Sequence, residues 1–78
     1  MKLVEVIWDD AWVDPNDTSL EHAKELKPVR RQTVGYLVLE NDSFLTLCAD
    51  FFHGEPLKEV NTTMVIPMGM IVEWWELK

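Results

Sequence analysis

Four runs of strand-forming residues, separated only by short turn segments, fill the chain from Gln32 to Leu77. The runs are rich in β-branched and aromatic residues, which favour extended backbone. They read QTVGYLVLE, SFLTLCAD, VNTTMVI and MIVEWWEL, and the opening run KLVEVIW adds a fifth. The segments between the last four are Asn41-Asp42, a loop with Gly54 and Pro56, and Pro67-Met68-Gly69. This order predicts a mainly β fold, a five-stranded small antiparallel barrel.

The length and the apolar content limit the fraction of its apolar surface that this fold can bury. A chain of 78 residues forms one domain, spanning residues 1–78, with no room for a second core. Yet 47% of the residues are hydrophobic and four are Trp. One small interior cannot hold all of that apolar surface. We therefore expect a homo-oligomer or an occupied groove.

The connection between the first two strands, from Ala11 to Arg31, is the longest and most polar segment. It contains the turn sequence DPND at positions 14–17. Ser19 or Asp17 is then placed to cap a short helix over Leu20 to Leu26, which Pro28 ends. The predicted fold is thus a barrel with a short helix in its first long connection.

The formal net charge of −7 restricts the possible partners. Binding to a nucleic-acid duplex requires a broad positive surface, so it is not expected, whereas a basic protein suits an acidic chain. The opening run is too short and too charged for a signal peptide, and no apolar run approaches the roughly 20 residues that span a bilayer. The single cysteine, Cys48, lies in an apolar run and is expected to be a buried thiol. These features predict a cytoplasmic protein without membrane contact.

A cluster of basic residues lies at the end of the long connection. Guanidinium groups bind phosphate in bidentate fashion and aromatic rings provide stacking surfaces, so the cluster predicts a site for a small anion such as a nucleotide. The alternative is that the lysines complement the helix dipole and the arginines pair with carboxylates. The predicted ligand-binding residues are Lys27, Arg30, Arg31, Tyr36 and Trp12.

The tryptophans are the candidates for an interface. Trp74 and Trp75 are neighbours on one strand, so their side chains point to opposite faces and only one can enter the core. The other must meet a subunit, a ligand or water, or lie flat over the core as a lid. We predict Trp8, Trp74 and Trp75 as interface residues.

The acidic residues and histidines form no recognisable catalytic or metal-binding motif. Asp9, Asp10, Asp14 and Asp17 lack the glycine and terminal glutamate of a calcium loop, so they predict a solvated face or a decoy for a basic groove. Neither His22 nor His53 has a Cys or Ser partner at a recognisable spacing. We therefore expect no catalytic activity, no metal and no cofactor.

Two resemblances add to this interpretation. The segment Val65-Ile66-Pro67-Met68-Gly69-Met70-Ile71-Val72 resembles the strand, one-turn helix and strand that close Src-homology-3-like and Sm-like small barrels. The chain also loosely resembles short phage-encoded accessory proteins of unknown role. That resemblance is carried by Trp8-Asp9, Val34-Gly35-Tyr36-Leu37, Glu40-Asn41-Asp42 and the segment from Ile66-Pro67 through Glu76-Leu77. It implies a viral accessory protein that acts in the host cytoplasm and counteracts a host defence.

These observations lead to three hypotheses about function. The first is a non-enzymatic protein that sequesters a small anionic, nucleotide-like ligand at an oligomer interface. The second is an acidic protein–protein inhibitor that occupies a basic groove of a host nucleic-acid-binding factor. The third is a structural or assembly module.

Overall fold

The computed structural model describes residues 1–54 and 56–78 and contains one five-stranded antiparallel sheet. The strands are β1 (Leu3–Asp10), β2 (Val29–Glu40), β3 (Phe44–Phe51), β4 (Val60–Pro67) and β5 (Ile71–Glu76). A short helix α1 (Leu20–Lys24) follows β1, and a 3₁₀ helix (Met68–Met70) joins β4 to β5. The strand order is β4-β3-β2-β1-β5. This confirms the predicted mainly β fold of five antiparallel strands with little helix.

The sheet is open along one side within the described residues. Ladders join β1 to β2 and β5, and β3 to β2 and β4, but none joins β4 to β5. In a flat sheet these two edge strands would lie about 19 Å apart, whereas a 3₁₀ helix of three residues rises only about 6 Å. The sheet therefore curls, so that Pro67 and Ile71 approach each other across the end of the core. Full closure into a barrel remains a prediction.

The core lies on the concave face of the curled sheet. On β1 the side chains alternate, and Val4, Val6 and Trp8 lie on the buried face. Leu37, Met68, Ile71 and Trp74 are partly buried against this cluster. The buried members of the cluster are Val4, Val6, Trp8, Leu45, Leu47 and Ile66.

Gly35 permits a close approach of β2 and β3. A Cβ atom at this buried position would lie 3.2 Å from the Cys48 carbonyl oxygen and 3.2 Å from Leu47 Cβ. Both distances are shorter than ordinary van der Waals contacts. The tight contact with β3 explains why a residue without a side chain stands at this position.

Both strands beside the long connection extend further than expected. The opening run KLVEVIW predicts a first strand that ends at Trp8, and this is wrong, since β1 continues through Asp10. Likewise β2 begins at Val29, three residues before Gln32. The added rungs of the ladder pair Asp9 with Arg30 and Asp10 with Val29. Cross-strand ion pairs make these polar positions compatible with a strand.

Helix α1 is shorter than predicted but starts where expected. Ser19 is the N-cap, and its Oγ accepts a hydrogen bond from the backbone N–H of His22 at 3.1 Å. At the other end the Glu25 N–H donates to the His22 carbonyl, a tighter turn that ends the helix before Leu26. None of the residues of α1 is buried.

The remaining turns agree with the sequence pattern. The Asn41 side-chain oxygen accepts hydrogen bonds from the backbone N–H groups of Ser43 and Phe44, so the β2–β3 turn includes Ser43 as well as Asn41-Asp42. The predicted loop between β3 and β4 includes Glu55, which lies outside the described residues. No helix among the described residues is long and apolar enough to cross a bilayer.

Edge strand β4 contains a local distortion. Thr62 has a φ of 54°, a left-handed conformation that β-branched residues rarely adopt. The ladder with β3 pairs Asn61 and Thr63 with Asp50 and Cys48, but it skips Thr62. The outer edge of β4 is therefore irregular, which hinders the addition of another strand.

Candidate functional site

The segment between β1 and β2, residues 11–28, forms an exposed arm. All of its residues are exposed. The β1–β2 ladder ends at the pair Asp10–Val29, so the arm extends beyond the sheet. The molecule is accordingly elongated, with dimensions of 55 × 23 × 21 Å. The arm is the most prominent element that the sheet offers to another molecule.

The base of the arm is held together by one hydrogen bond. Trp12 follows β1, Lys27 precedes β2, and the Trp12 Nε1–H donates to the Lys27 carbonyl oxygen at 2.7 Å. The Trp12 side chain remains 43% exposed. The arm is thus a defined element with an exposed indole at its base.

Two ion pairs flank the base of the arm. Arg30 contacts Asp9 through both ends of its guanidinium, with Nε–Oδ1 at 2.9 Å and Nη2–Oδ2 at 3.2 Å. Arg31 Nε lies 2.7 Å from Asp10 Oδ2. Because neighbouring residues of a strand point to opposite faces, the two guanidiniums lie on opposite sides of β2. The arginines do not form one joint phosphate clamp in this structure.

These pairs largely neutralise the basic cluster. The hydrogen bond from Arg30, together with its positive charge, lowers the pKa of the Asp9 carboxyl, and the same contact raises the pKa of Arg30. Both arginines nevertheless stay more than half exposed, so the pairs contribute little to stability. An anion at this site would have to compete with Asp9 and Asp10. The alternative that the arginines pair with carboxylates is what the geometry shows.

Tyr36 lies apart from the other predicted ligand-binding residues. It stands opposite Leu3, whereas Arg30 stands opposite Asp9, six residues further along the ladder. This separation corresponds to about 20 Å along a strand. Its ring packs edge-on against Phe51, with 4.9 Å between the ring centroids. The structure thus brings Trp12, Lys27 and both arginines to the arm base but leaves Tyr36 elsewhere on the sheet.

The predicted interface tryptophans differ in exposure. Trp8 is only 8% exposed and belongs to the core, where its Nε1–H donates to Thr33 Oγ1 at 2.9 Å. It therefore offers almost no free surface to a subunit. Trp74 packs against the core from β5, while Trp75 lies on the other face beside Glu5 and is half-buried. Their opposite orientation agrees with the predicted alternation.

The groups with chemical reactivity do not converge. His22 lies on α1 and His53 lies in the loop after β3, both exposed. Burial raises the pKa of the Cys48 thiol, which is 2% exposed and so remains protonated and unreactive. Within the described residues, no group of three or more His, Cys, Asp or Glu side chains is placed to hold a metal ion.

The apolar surface that the structure exposes is mainly aliphatic. Besides Trp12, the arm exposes Val13, Leu20 and Leu26. A second surface runs from Val60 to Val72, a stretch without any charged residue in a chain that is 27% charged. We call it the uncharged segment. The sequence prediction concentrated on the tryptophans and missed it, although the absence of charge was visible in the sequence.

The chain matches no protein-family model, no curated protein and no solved structure. Its function is therefore inferred from its own residues.

Proposed function

We propose that the chain is a non-enzymatic accessory protein that binds another protein through its arm, and that the partner presents a basic groove. The observation that carries this proposal is the arm itself, which extends from the sheet, buries none of its residues and is fixed at its base by the Trp12–Lys27 hydrogen bond. Elements that project in this way commonly carry recognition.

The charge of the arm favours a basic partner. Its carboxylates are exposed, and the ion pairs of the described residues involve only the two arginines beside the arm base. A net charge of −7 also favours association with a positive surface. The carboxylates of the arm are Asp14, Asp17, Glu21 and Glu25.

The resemblance to short phage-encoded proteins suggests where such a partner is found. We propose a host nucleic-acid-binding factor, since the groove that accepts a phosphate backbone is basic and an acidic arm can occupy it. The chain would then act in the cytoplasm of the host cell, by blocking the groove. It would need no cofactor and no turnover.

Neutralising the arm tests this proposal. The variant Asp14→Asn, Asp17→Asn, Glu21→Gln, Glu25→Gln is compared with a control that loses equal charge elsewhere, Glu40→Gln, Asp42→Asn, Glu73→Gln, Glu76→Gln. In affinity capture from host lysate, the natural chain and the control should retain one dominant basic protein that added salt releases. The arm variant should lose it. Equal capture by both variants would count against the arm as the contact element.

A second candidate function is sequestration of a small anion at the arm base. Trp12, Lys27 and Arg30 lie together there, and the two guanidiniums are still more than half exposed. With adenosine diphosphate as the probe, thermal stabilisation should vanish in Arg30→Ala, Arg31→Ala. It should increase in Asp9→Asn, Asp10→Asn, because that variant frees both guanidiniums. If the aspartate variant shows no stabilisation at all, this candidate is excluded.

We also propose that the curled sheet is a small barrel of the Src-homology-3-like kind. The short 3₁₀ helix between the edge strands β4 and β5 supports this proposal, because it holds their ends together. In NMR spectra, closure requires nuclear Overhauser contacts between backbone protons of β4 and β5. Their absence from a fully assigned spectrum would leave an open, curled sheet.

A further inference from the structure

The chain exposes more surface than a compact protein of its mass. Its accessible surface is 6209 Å², whereas a folded monomer of 9.1 kDa exposes about 4,900 Å². The radius of gyration is 16.1 Å, against about 12 Å for a compact domain of this length. The excess of about 1,300 Å² is more than the roughly 800 Å² that each partner buries in a standard interface. The surface is sufficient for a stable dimer.

Part of this surface is the apolar side of the arm. Val13 and Leu20 are 88% and 71% exposed, and Leu26 is 41% exposed. A helix as short as α1 has little stability of its own in water and normally persists by packing an apolar side against something. Within one chain no such packing exists among the described residues, since α1 buries none of them. The arm therefore requires a surface from outside the chain.

A matching surface is the uncharged segment, residues 60–72. Val65 on β4 and Val72 on β5, two strands that the short 3₁₀ helix joins, are 58% and 50% exposed. Because β4 is an edge strand, its outer edge pairs with no other strand within the described residues. The distorted backbone at Thr62 hinders strand addition along this edge. A non-strand element can instead pack on the exposed side chains of this segment.

The charge distribution identifies what covers this surface. Two copies of a chain with a net charge of −7 repel each other wherever carboxylates would meet. Residues 60–72 contain none, and on the paired strand β3 only Asp50, opposite Asn61, is charged, so an acidic arm meets few like charges there. A basic partner would gain no electrostatic attraction from this segment. The occupant that fits is a second copy.

We propose that the chain is a homodimer in which the arm of each protomer, residues 11–28, packs its apolar side chains over the uncharged segment of the other. Each protomer packs its arm on the other in the same way, as twofold symmetry requires. This goes beyond the binding of a basic partner and uses different side chains, namely the leucines of the arm instead of its carboxylates.

The oligomeric state tests the proposal. In analytical ultracentrifugation the natural chain should form dimers with a dissociation constant below about 1 μM, in the range expected for such an area. Leu20→Glu with Leu26→Glu should weaken dimerisation at least about 100-fold, as should Val65→Lys. These positions are exposed in the single chain, so the fold should be kept. The matched control is Leu57→Glu, an exposed leucine outside both surfaces, which should remain dimeric.

A mixing experiment distinguishes reciprocal exchange from other dimers. The Leu20→Glu, Leu26→Glu variant retains a natural uncharged segment, and the Val65→Lys variant retains a natural arm. Mixed together, they should form heterodimers with one natural contact and one contact between opposite charges, although each alone is monomeric. A monomeric natural chain overturns the proposal. So does a dimer that survives both sets of substitutions, or a mixture that stays monomeric.

Discussion

The curled sheet and the arm illustrate two ways in which one chain uses apolar residues. In the sheet, Leu45 and Leu47 are enclosed by side chains from several strands and have almost no contact with solvent. In the arm, Leu20 and Leu26 are in contact with water. Both regions have a defined backbone, but burial stabilises the sheet, whereas capping and one hydrogen bond at its base hold the arm. The sheet is the scaffold and the arm is the element available for contact.

The largest expected effect comes from removing equal side chains from the two regions. Leu45→Ala leaves a cavity in the core and should lower the free energy of unfolding by about 2–5 kcal/mol. Leu20→Ala should change it by less than about 0.5 kcal/mol in dilute solution, where the chain is monomeric. Urea unfolding followed by tryptophan fluorescence measures both. Similar losses from the two variants would mean that the arm packs within its own chain.

A smaller effect is expected where the sheet is most tightly packed. Gly35→Ala places a Cβ 3.2 Å from the Cys48 carbonyl and from Leu47 Cβ, and this crowding should cost about 1–3 kcal/mol. Gly69→Ala is the control, because nothing lies within 4 Å of a Cβ there. Denaturant unfolding of both variants provides the comparison. If the two variants prove equally stable, β2 and β3 are not in close contact at Gly35.

The base of the arm should respond locally and leave the sheet unchanged. Trp12→Phe removes the indole N–H that donates to Lys27. The loss of one exposed hydrogen bond should change global stability by no more than about 1 kcal/mol. Hydrogen exchange of amides in residues 11–28 should nevertheless become faster, as mass spectrometry of peptides can show. Trp75→Phe should leave the hydrogen exchange of the arm amides unaltered. If exchange is also unchanged in Trp12→Phe, the hydrogen bond to Lys27 does not hold the arm.

The smallest effect concerns the ion pair between Asp9 and Arg30, which lies in the sheet beside the base of the arm. The pKa of Asp9 is lowered in the folded chain by Arg30, so its contribution to stability is present above the ordinary carboxyl pKa. This contribution is lost as the pH falls through the lowered value. Asp9→Asn should therefore flatten the acid side of a plot of unfolding free energy against pH. Arg30→Gln and the double variant should have the same profile, and any further flattening in the double variant would argue against this pairing.

The sequence predicts the sheet better than the arm base, for a physical reason. The five strands, the alternation along β1 and the cap at Ser19 follow from local periodicity and turn chemistry. The extension of β1 through Asp10 depends on partners 21 positions away in the sequence. Local patterns do not reveal which residues of the two strands pair, so the run KLVEVIW alone predicts a strand that ends at Trp8.

The candidate site shows the same limit. The structure places Trp12, Lys27 and both arginines near the arm base, because the β1–β2 ladder brings the two ends of the long connection together. Tyr36 was expected in the same site but lies six residues along β2 from Arg30. Along an extended strand, six residues carry a side chain far from its starting point. Position along the strand, more than residue type, determines which of the predicted ligand-binding residues lie together.

The hydrogen bond between Trp12 and Lys27 has a thermodynamic consequence for recognition. A long loop that must be immobilised on binding loses conformational entropy, and this loss reduces affinity. Closing the loop at its base removes part of that disorder before any encounter takes place. Changes at this single contact would therefore alter affinity for every partner of the arm together, without altering which partner is preferred.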